Sequence, residues 1–378
     1  MTKKVLFLTG TRADFGKLKP LIRVLHDEDL FEVDIFATGM HLDRLYGYTV
    51  REIEKSGFTS IYKFPNYNSE TPMDLTLAKT ISGLSNYVAQ NPPDLIIVHG
   101  DRIEALAGAI VGSLNNILVG HVEGGELSGT VDELIRHAVT KLSHIHFVAN
   151  RSAKDRLIQM GENGDFVHVV GSPDIDIMVS PELPELGHVL DKYEIPFSDF
   201  GILIFHPITT ELDLLDIYAQ NIVTAVNASQ LNFVGIYPNN DSGSRIIRKI
   251  FVDGFNASPN VIFFPSIRFE AYLVLLRHSK LILGNSSSGV REAPFLGVPS
   301  INIGTRQNRR SSAESILNTG AKTDEITQAI NLALKTPRPR PTTEFGDGKS
   351  AEHFLHILSS TSIFSTPAQK TFFDLIPT

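Results

Sequence analysis

Three carboxylates follow apolar runs of the sequence, at places where acid–base chemistry is feasible. Asp101 lies in the segment His-Gly-Asp-Arg after the run LIIV, and Glu123 and Asp132 lie in a loop that holds three glycines. Paired carboxylates can remove one proton and return another, and a flanking Arg and His can tune their proton affinity. Two other interpretations remain open at this point. Asp101 or Asp132 can cap a helix, and carboxylate oxygens can bind a divalent metal.

Two glycine-containing loops have the composition of phosphate-binding turns. The loop Thr9–Asp14 leads from an apolar run into a helical pattern and carries Arg12, and the loop Gly284–Glu292 contains three serines. Short side chains leave backbone N–H groups and a helix N-terminus free to face an anion, and Glu292 is placed to accept ribose hydroxyls. Each loop is also consistent with a simple turn or a helix cap, and the dinucleotide fingerprint GxGxxG is absent from the sequence.

Two more polar residues follow apolar runs in the second half of the chain. His206 comes after the run ILIF, where it can act as an acid, a base or a phosphate partner, although a capped surface histidine fits equally well. Arg306 follows a later run and adds a cation. The sequence thus predicts a pyrophosphate-binding face in the second half and an acid–base loop in the first. The ligand that fits both is a sugar nucleotide.

Alternating apolar runs and helix-period stretches position these polar segments. Continuous apolar runs are typical of parallel strands covered by helices on both faces. The pattern pauses at 180–199 and then restarts. We therefore predict an α/β protein with two Rossmann-like, doubly wound domains, 1–178 and 179–348, and a helical tail at 349–378 that packs back on the N-terminal domain. Ligands of such sheets bind at the carboxyl ends of the strands, which predicts a cleft between the domains. The predicted strands are Val5–Leu8, Val33–Ala37, Leu95–Val98, Ile117–Val119, Ile145–Val148, Val167–Val170, Ile202–Phe205, Phe233–Tyr237, Val261–Phe264, Leu281–Leu283 and Ser300–Ile303.

Composition narrows the class of protein. The chain has 378 residues and a formal net charge of −8, which disfavours a general binder of nucleic acid or of anionic membranes. It contains no cysteine, so disulfides, cysteine-ligated metals and thiol nucleophiles are excluded. Its apolar runs are too short for a signal peptide or a membrane span, and we expect a soluble, cytoplasmic protein.

Ten ordered motifs, spread over nearly the whole chain, resemble those of the hydrolysing UDP-N-acetylglucosamine 2-epimerases of bacterial sialic acid and capsule polysaccharide synthesis. The segments that carry the resemblance are TGTRADFGKLKP, TGMH, HGDRIEALAGA, HVEGGELSGTVDELIRHAVTKLSHIHFVAN, GSPD, FHPITTE, YPNNDSGS, FPSIRFE, GNSSSGVREAP and GTRQNRR, most of them directly after a predicted strand. The resemblance implies a GT-B architecture and the conversion of UDP-N-acetylglucosamine and water to N-acetylmannosamine and UDP. It implies neither NAD nor a catalytic metal as cofactor, and a homodimer or homotetramer.

The same resemblance assigns roles to residues of this chain. Asp101, Glu123 and Asp132 match the family's catalytic carboxylates, and His206 matches its cleft histidine. Ile267 is expected near the uracil through its backbone. The residues that match UDP-holding positions are Arg12, Arg102, Asn239, Ser286, Ser287, Glu292 and Arg306.

The chemistry of the residues agrees with this assignment. The C2 proton of the sugar becomes removable as the C1–O bond to UDP breaks, and one carboxylate can take it to give a 2-acetamidoglucal. A second carboxylate then protonates C2 from the other face while water adds at C1. We expect Asp101 and Asp132 to handle the two proton transfers and Glu123 to orient substrate or water.

Three alternatives remain beside this function. The first is the same chemistry on UDP-2,4-diacetamido-2,4,6-trideoxyglucose, in legionaminic acid synthesis. The second is a GT-B glycosyltransferase, which would need an acceptor. The third is a sensor of nucleotide sugars, which the acidic cluster disfavours.

Overall fold

The chain divides into two compact units. A computed structural model describes residues 2–44, 47–66, 71–127, 131–208, 211–238, 243–307, 310–311, 313–360 and 362–374. Unit 1 comprises Met1–Val179 together with Gly346–Thr378, and unit 2 comprises Ser180–Phe345. The second unit is therefore inserted between two parts of the first.

Each unit is built on one parallel sheet. The strands of unit 1 are β1 (Lys3–Thr9), β2 (Phe31–Ala37), β3 (Ile61–Lys63), β4 (Leu95–His99), β5 (Leu118–Val122), β6 (Ile145–Val148) and β7 (Val167–Val169). The strands of unit 2 are β8 (Phe200–Ile204), β9 (Asn232–Ile236), β10 (Val261–Phe264), β11 (Ile282–Gly284), β12 (Ser300–Ile303) and β13 (Ile316–Thr319). The first sheet has the order β3-β2-β1-β4-β5-β6-β7 and the second the order β10-β9-β8-β11-β12-β13.

Helices connect the strands and cover both sheets. The helices of unit 1 before the insertion are α1 (Arg12–His26), α2 (Val50–Lys55), α3 (Met73–Gln90), α4 (Ile103–Leu114), α5 (Val131–Leu142), α6 (Arg151–Gln159) and α7 (Pro173–Val179). Those of unit 2 are α8 (Leu186–Lys192), α9 (Leu215–Ser229), α10 (Ser244–Phe255), α11 (Phe269–His278), α12 (Glu292–Phe295) and α13 (Thr323–Lys335). The chain then returns to unit 1 with α14 (Ser350–Ser359).

The strand order reverses once in each sheet, at β1 and β4 in unit 1 and at β8 and β11 in unit 2. Such a reversal opens a crevice at the carboxyl ends of the strands, because the flanking connections run to opposite faces of the sheet. The prediction of an α/β protein with two doubly wound, Rossmann-like units is confirmed. Within the described residues, no helix is long and apolar enough to cross a membrane.

The C-terminal helix completes the core of unit 1. Phe354 of α14 is fully buried, and its ring lies 6.4 Å from that of Phe7 on β1 and 4.7 Å from that of Phe147 on β6. Burying one such side chain contributes about 1.5–3 kcal/mol. At the start of the helix, the carboxylate of Asp176 on α7 accepts hydrogen bonds from the backbone N–H groups of Ser350 and Ala351.

Candidate active site

Asp101 stands just beyond β4, on a backbone turn that a buried histidine holds. Gly100 adopts a left-handed conformation, with φ of 71°, and its carbonyl lies 2.8 Å from Nε2 of His121 on the neighbouring β5. Burial lowers the pKa of His121 to about 3, so the ring is neutral. Nε2 must then donate to the Gly100 carbonyl, and Nδ1 accepts from the hydroxyl of Thr140 on α5, 3.2 Å away.

The structure does not support the interpretation of Asp101 as the cap of α4. The N-cap position of α4 is occupied by Arg102 and has no side-chain cap bond. The carboxylate of Asp101 instead forms an ion pair with Arg136 of α5. The carboxylate of Asp101 is therefore positioned by a residue of α5 and does not cap α4, the helix that follows it.

Glu123 is a buried carboxylate directly after β5. Its oxygens accept from Lys17 at 3.1 Å, from the Ser172 hydroxyl, and lie 3.0 Å from Nε2 of His99. Lys17 also lies 3.3 Å from the Asp174 carboxylate, so one ammonium serves two buried acids. This degree of pairing is what a buried charge requires, because an uncompensated carboxylate is costly away from water.

The backbone of Glu123 is also unusual. Its φ is 60°, a left-handed conformation that residues with a Cβ seldom adopt. The Glu123 N–H donates to the carbonyl of Phe147 at 2.9 Å, and its carbonyl accepts from Nη1 of Arg136 at 2.6 Å. Arg136 thus contacts both the Asp101 carboxylate and the Glu123 peptide.

Helix α5 brings Asp132 to the same edge. Asp132 is the second residue of the helix, in its first turn, where a carboxylate interacts favourably with the helix dipole. Arg136 and Thr140 follow at intervals of four, so the three residues share one helix face. That face carries the contacts to Asp101, Glu123 and His121. The glycine-rich loop before α5 is described only to Leu127, since 128–130 lie outside the described residues.

The loop Thr9–Asp14 is shaped by a buried acid. Asp14 accepts from the Thr9 hydroxyl and from the backbone N–H groups of Gly10 at 3.0 Å and Thr11 at 3.2 Å, while Thr11 caps α1. His41 reaches the same Thr9 hydroxyl with Nε2 at 3.0 Å. Arg12 is the first residue of α1, and its guanidinium pairs with Glu52 at 3.0 Å.

Glu104 fixes where Arg102 stands. Nε of Arg102 donates to the Glu104 carboxylate at 3.3 Å, and Glu104 itself is buried. A Cβ added to Gly10 would come within 2.8 Å of the Glu104 side chain, and one added to Gly39 within 2.7 Å. These glycines are required because the loop after β1 packs closely on Glu104. Arg102 is exposed, and the neighbouring carboxylates Glu104, Asp14 and Asp101 raise its pKa.

In unit 2, the ends of β8 and β11 are joined through Asn285. Its side-chain oxygen accepts from the His206 N–H at 2.7 Å, and its amide nitrogen donates to the His206 carbonyl at 2.9 Å. Gly284, just before it, has φ of 136°, and a Cβ there would lie 1.9 Å from the carbonyl oxygen of Ile204. The carbonyl of Asn285 accepts from Arg306 at 3.1 Å and from Gln307 at 2.9 Å.

The serine loop forms a tight turn rather than a long helix. Ser286 caps a 3₁₀ turn at Ser287–Gly289 by accepting from the Ser288 N–H at 3.3 Å. The Ser288 hydroxyl bonds the hydroxyl of Tyr272 on α11. Glu292 is buried and begins α12.

The remaining predicted residues of unit 2 are placed as follows. Ile267 is buried in the segment between β10 and α11. Asn239 was predicted to hold UDP, but it lies outside the described residues. Within the ranges that the structure describes, there is no group of three or more His, Asp or Glu residues suited to a metal ion.

Three residues with a clear part in this geometry were not predicted from the sequence. They are Arg136, Lys17 and Asn285. The periodicity of α5 contains a signal for Arg136, since it stands four residues after Asp132. Asn285 lies between a glycine and the serines of a predicted loop, where side-chain-to-backbone bonds are common.

Comparison with known proteins gives the family. The model of the UDP-N-acetylglucosamine 2-epimerase family matches residues 23–359. A UDP-N-acetylglucosamine 2-epimerase of Neisseria meningitidis serogroup B is 45% identical over 376 residues, 99% of either chain. A hydrolysing UDP-N,N'-diacetylbacillosamine 2-epimerase of Legionella pneumophila is 34% identical over 97% of this chain and 98% of its own.

A solved structure agrees in fold. It is that of a UDP-GlcNAc 2-epimerase from Neisseria meningitidis bound to UDP-GlcNAc, with a TM-score of 0.82 and 22% identity over 95% of this chain and all of its own. Because the family model covers most of the sequence and one relative is 45% identical from end to end, this chain belongs to the UDP-N-acetylglucosamine 2-epimerase family.

Proposed function

We propose that the protein is a hydrolysing 2-epimerase that converts UDP-N-acetylglucosamine and water to N-acetylmannosamine and UDP, the first step of sialic acid synthesis. The observation that carries the proposal is the grouping of Asp101, Glu123 and Asp132 around Arg136. The Asp101 carboxylate and the Glu123 backbone carbonyl accept from its guanidinium, and Asp132 stands one helical turn before it. The 45% identical relative supports the choice of substrate.

The first half-reaction is an elimination. The C1–O bond to UDP breaks, one of the pair Asp101 and Asp132 takes the C2 proton, and the sugar becomes a 2-acetamidoglucal. Both residues belong to the carboxyl edge of unit 1, and Asp101 is a quarter exposed while its Arg136 partner is almost fully buried. A buried cation beneath an accessible carboxylate fixes the position of a base without covering it.

Departure of UDP places negative charge on its phosphate oxygens. In our proposal Arg12, Arg102 and Arg306 stabilise that charge, together with the turn at Ser286 and Ser287. Glu292 accepts the ribose hydroxyls, and Ile267 and Asn239 lie at the nucleoside. His206 contacts the leaving group, and its backbone is fixed by Asn285 on both sides.

The second half-reaction is a hydration. The other residue of the pair, as its carboxylic acid, gives a proton to C2 from the opposite face. The oxygen of water bonds to C1, and the proton that this water loses restores the carboxylic acid. Glu123 is assigned to orient sugar or water rather than to transfer the proton, because it is buried and already bound by Lys17, Ser172 and His99. A reaction of this kind uses one water and releases free sugar and UDP.

NMR of the purified protein with UDP-N-acetylglucosamine alone in heavy water tests the proposal. We expect UDP and N-acetylmannosamine carrying deuterium at C2, with no acceptor added. Formation of UDP-N-acetylmannosamine would identify a non-hydrolysing epimerase, and product without deuterium at C2 would exclude the elimination route.

Variants of the three carboxylates test the assignment of roles. Asp101→Asn and Asp132→Asn are expected to lower kcat by about 10²–10⁴-fold, the usual contribution of a proton-transfer group. Asp155→Asn is the matched control, since Asp155 forms an exposed pair with Arg151 on α6 and should leave kcat unchanged. A fully active Asp101→Asn enzyme would remove that residue from the mechanism.

A second candidate substrate is favoured by the Legionella relative at 34% identity, a hydrolysing 2-epimerase named for UDP-N,N'-diacetylbacillosamine. This substrate carries a 4-acetamido group in place of a 4-hydroxyl. Comparing kcat/KM for the two UDP-sugars decides between them. A higher value for the diacetamido sugar would assign the protein to the second reaction.

A further inference from the structure

We propose that Arg136 is a positioning residue for the proposed epimerisation. It holds the Asp101 carboxylate and the Glu123 peptide in one arrangement, and proton transfer at C2 depends on that arrangement. The inference rests on the proposed function, because it concerns the residue assigned there to proton transfer. It adds a part of the machinery that acts through Asp101.

The two contacts of Arg136 join separate strands. Nη2 pairs with the Asp101 carboxylate, which follows β4, and Nη1 donates to the Glu123 carbonyl, which follows β5, at 2.6 Å. Arg136 itself belongs to α5, the next element in the chain. One rigid guanidinium thus fixes three neighbouring segments of the sheet edge relative to one another.

The planar guanidinium is the group that suits this position. Its two terminal nitrogens donate to two acceptors at a fixed separation, whereas a lysine side chain has only one nitrogen from which to donate. The side chain of Arg136 is only 5% exposed, while that of Asp101 is 25% exposed. A buried cation requires a partner of opposite charge, and Asp101 provides it.

Both targets of Arg136 adjoin backbone in the left-handed region. Gly100, directly before Asp101, has φ of 71°, and Glu123 has φ of 60°. Glycine adopts such a conformation freely, but for a residue with a Cβ it costs about 1–2 kcal/mol. The bond from Arg136 stabilises the strained peptide at Glu123, and strain of this kind persists where the surroundings hold it in place.

Substitution of Arg136 tests the inference, with isotope effects as the readout. For Arg136→Met we expect kcat to fall by about 100-fold or more while KM changes little, because small misplacement of a reacting group has that effect. Proton transfer then limits the rate more strongly. The isotope effect on kcat should rise for substrate deuterated at C2, for reaction in heavy water, or for both. For Arg136→Lys we expect a kcat and isotope effects between those of Arg136→Met and those of the wild type.

The control is Arg156→Met. Arg156 donates to the Gly125 carbonyl at 3.0 Å and belongs to the same unit, so its loss removes a comparable, part-buried arginine-to-carbonyl bond. Its variant should keep both isotope effects at the wild-type values. Circular dichroism establishes that each variant is folded, and if Arg136→Met does not fold, Arg136→Lys carries the test.

The outcomes separate this inference from the proposed function. If wild-type protein neither consumes UDP-N-acetylglucosamine nor exchanges its C2 proton, the proposed function fails before any variant is made. If wild type is active and folded Arg136 variants show unchanged kcat, or a lower kcat with both isotope effects unchanged, the positioning role is overturned. A rise in either isotope effect with near-constant KM supports it.

Discussion

The side-chain amide of Asn285 bonds the backbone of His206 at both its N–H and its carbonyl, at 2.7 and 2.9 Å. The two residues are far apart in sequence and follow neighbouring strands, β8 and β11, at the point where the strand order of unit 2 reverses. Asn285 therefore substitutes for the sheet hydrogen bonds that end at this edge. The position of His206 depends on it.

Replacing Asn285 with Leu should destabilise this edge. The two backbone groups of His206 lose their partners, and each costs about 1–3 kcal/mol if it stays buried. Hydrogen exchange of a peptide that covers residues 200–207 measures the effect directly, and we expect faster exchange at the His206 N–H. Asn232→Leu removes an exposed amide-to-carbonyl bond, to Asp199 before the start of β8, and should leave exchange at the His206 N–H unchanged. Equal protection in both variants would contradict the prediction.

Gly284→Ala should disrupt the fold of unit 2. The added Cβ would lie 1.9 Å from the carbonyl oxygen of Ile204, on a backbone with φ of 136°. Overlap with a backbone atom and a disfavoured φ together cost about 3 kcal/mol or more. Thermal unfolding and soluble yield are the measurements. The control is Gly187→Ala in α8, where nothing lies within 4 Å of the new Cβ and alanine favours the helix. An unchanged Tm for Gly284→Ala would show that the close approach is absent.

Two buried histidines make stability fall with acid. Burial lowers the pKa of His41 to about 4 and that of His121 to about 3, from 6.5 in the unfolded chain. Below pH 6.5 the unfolded state binds protons that the folded state does not. The contribution of His41 is thus complete above pH 6.5 and is lost progressively as the pH falls towards 4.

We expect each of these histidines to make the free energy of unfolding fall by about 1.4 kcal/mol per pH unit in its window. Urea unfolding between pH 4 and 7 should show a shallower slope for His41→Gln than for wild type. His26→Gln, a change on the outer end of α1, serves as the control and should retain the wild-type slope. Identical slopes for wild type and His41→Gln would mean that His41 is not buried in the neutral form.

Lys370→Met should loosen the end of α5. Lys370 bonds the Glu162 carboxylate and the backbone carbonyls of Thr140 and Ser143, at the C-terminus of that helix. Although burial raises the pKa of Glu162, its bonds to His146, Lys141 and Lys370 outweigh this effect and hold the value at about 2. Removing Lys370 leaves the buried carboxylate with two partners, and we expect a loss of about 1–3 kcal/mol.

The measurement is the thermal unfolding of unit 1, together with kcat. Lys349→Met, an exposed change just before α14, is the control. It should change neither the Tm nor kcat. If Lys370→Met has the same Tm as wild type, the segment around Lys370 contributes nothing to α5.

The sequence predicted most strands because their apolar runs are continuous. The runs Ile145–Val148, Val261–Phe264 and Ser300–Ile303 are strands with the predicted bounds. The edge strands β3 and β13 were not predicted, since they are short and partly polar and their pairing comes from the neighbouring strand. Helix α8 lies within 180–199, where the sequence pattern pauses.

The site was predictable in part for a similar reason. Carboxylates after strands stand out in a sequence, because the fold class alone says that strand ends form the site. The partners that hold them do not stand out. In the sequence, Arg136 and Lys17 are typical of the charged residues on any amphipathic helix. Only the packing of α5 brings Arg136 to Asp101, and only the packing of α1 brings Lys17 to Glu123.

The insertion of unit 2 into unit 1 has a consequence for synthesis on the ribosome. The nascent chain leaves unit 1 at Val179 and re-enters it at Gly346, so all of unit 2 is synthesised before Phe354 and Lys370 are added. Until then the sheet of unit 1 has an uncovered apolar face around Phe7 and Phe147. Unit 1 cannot complete its core until the C-terminal helix has been made, which makes it the unit that a chaperone would shield during translation.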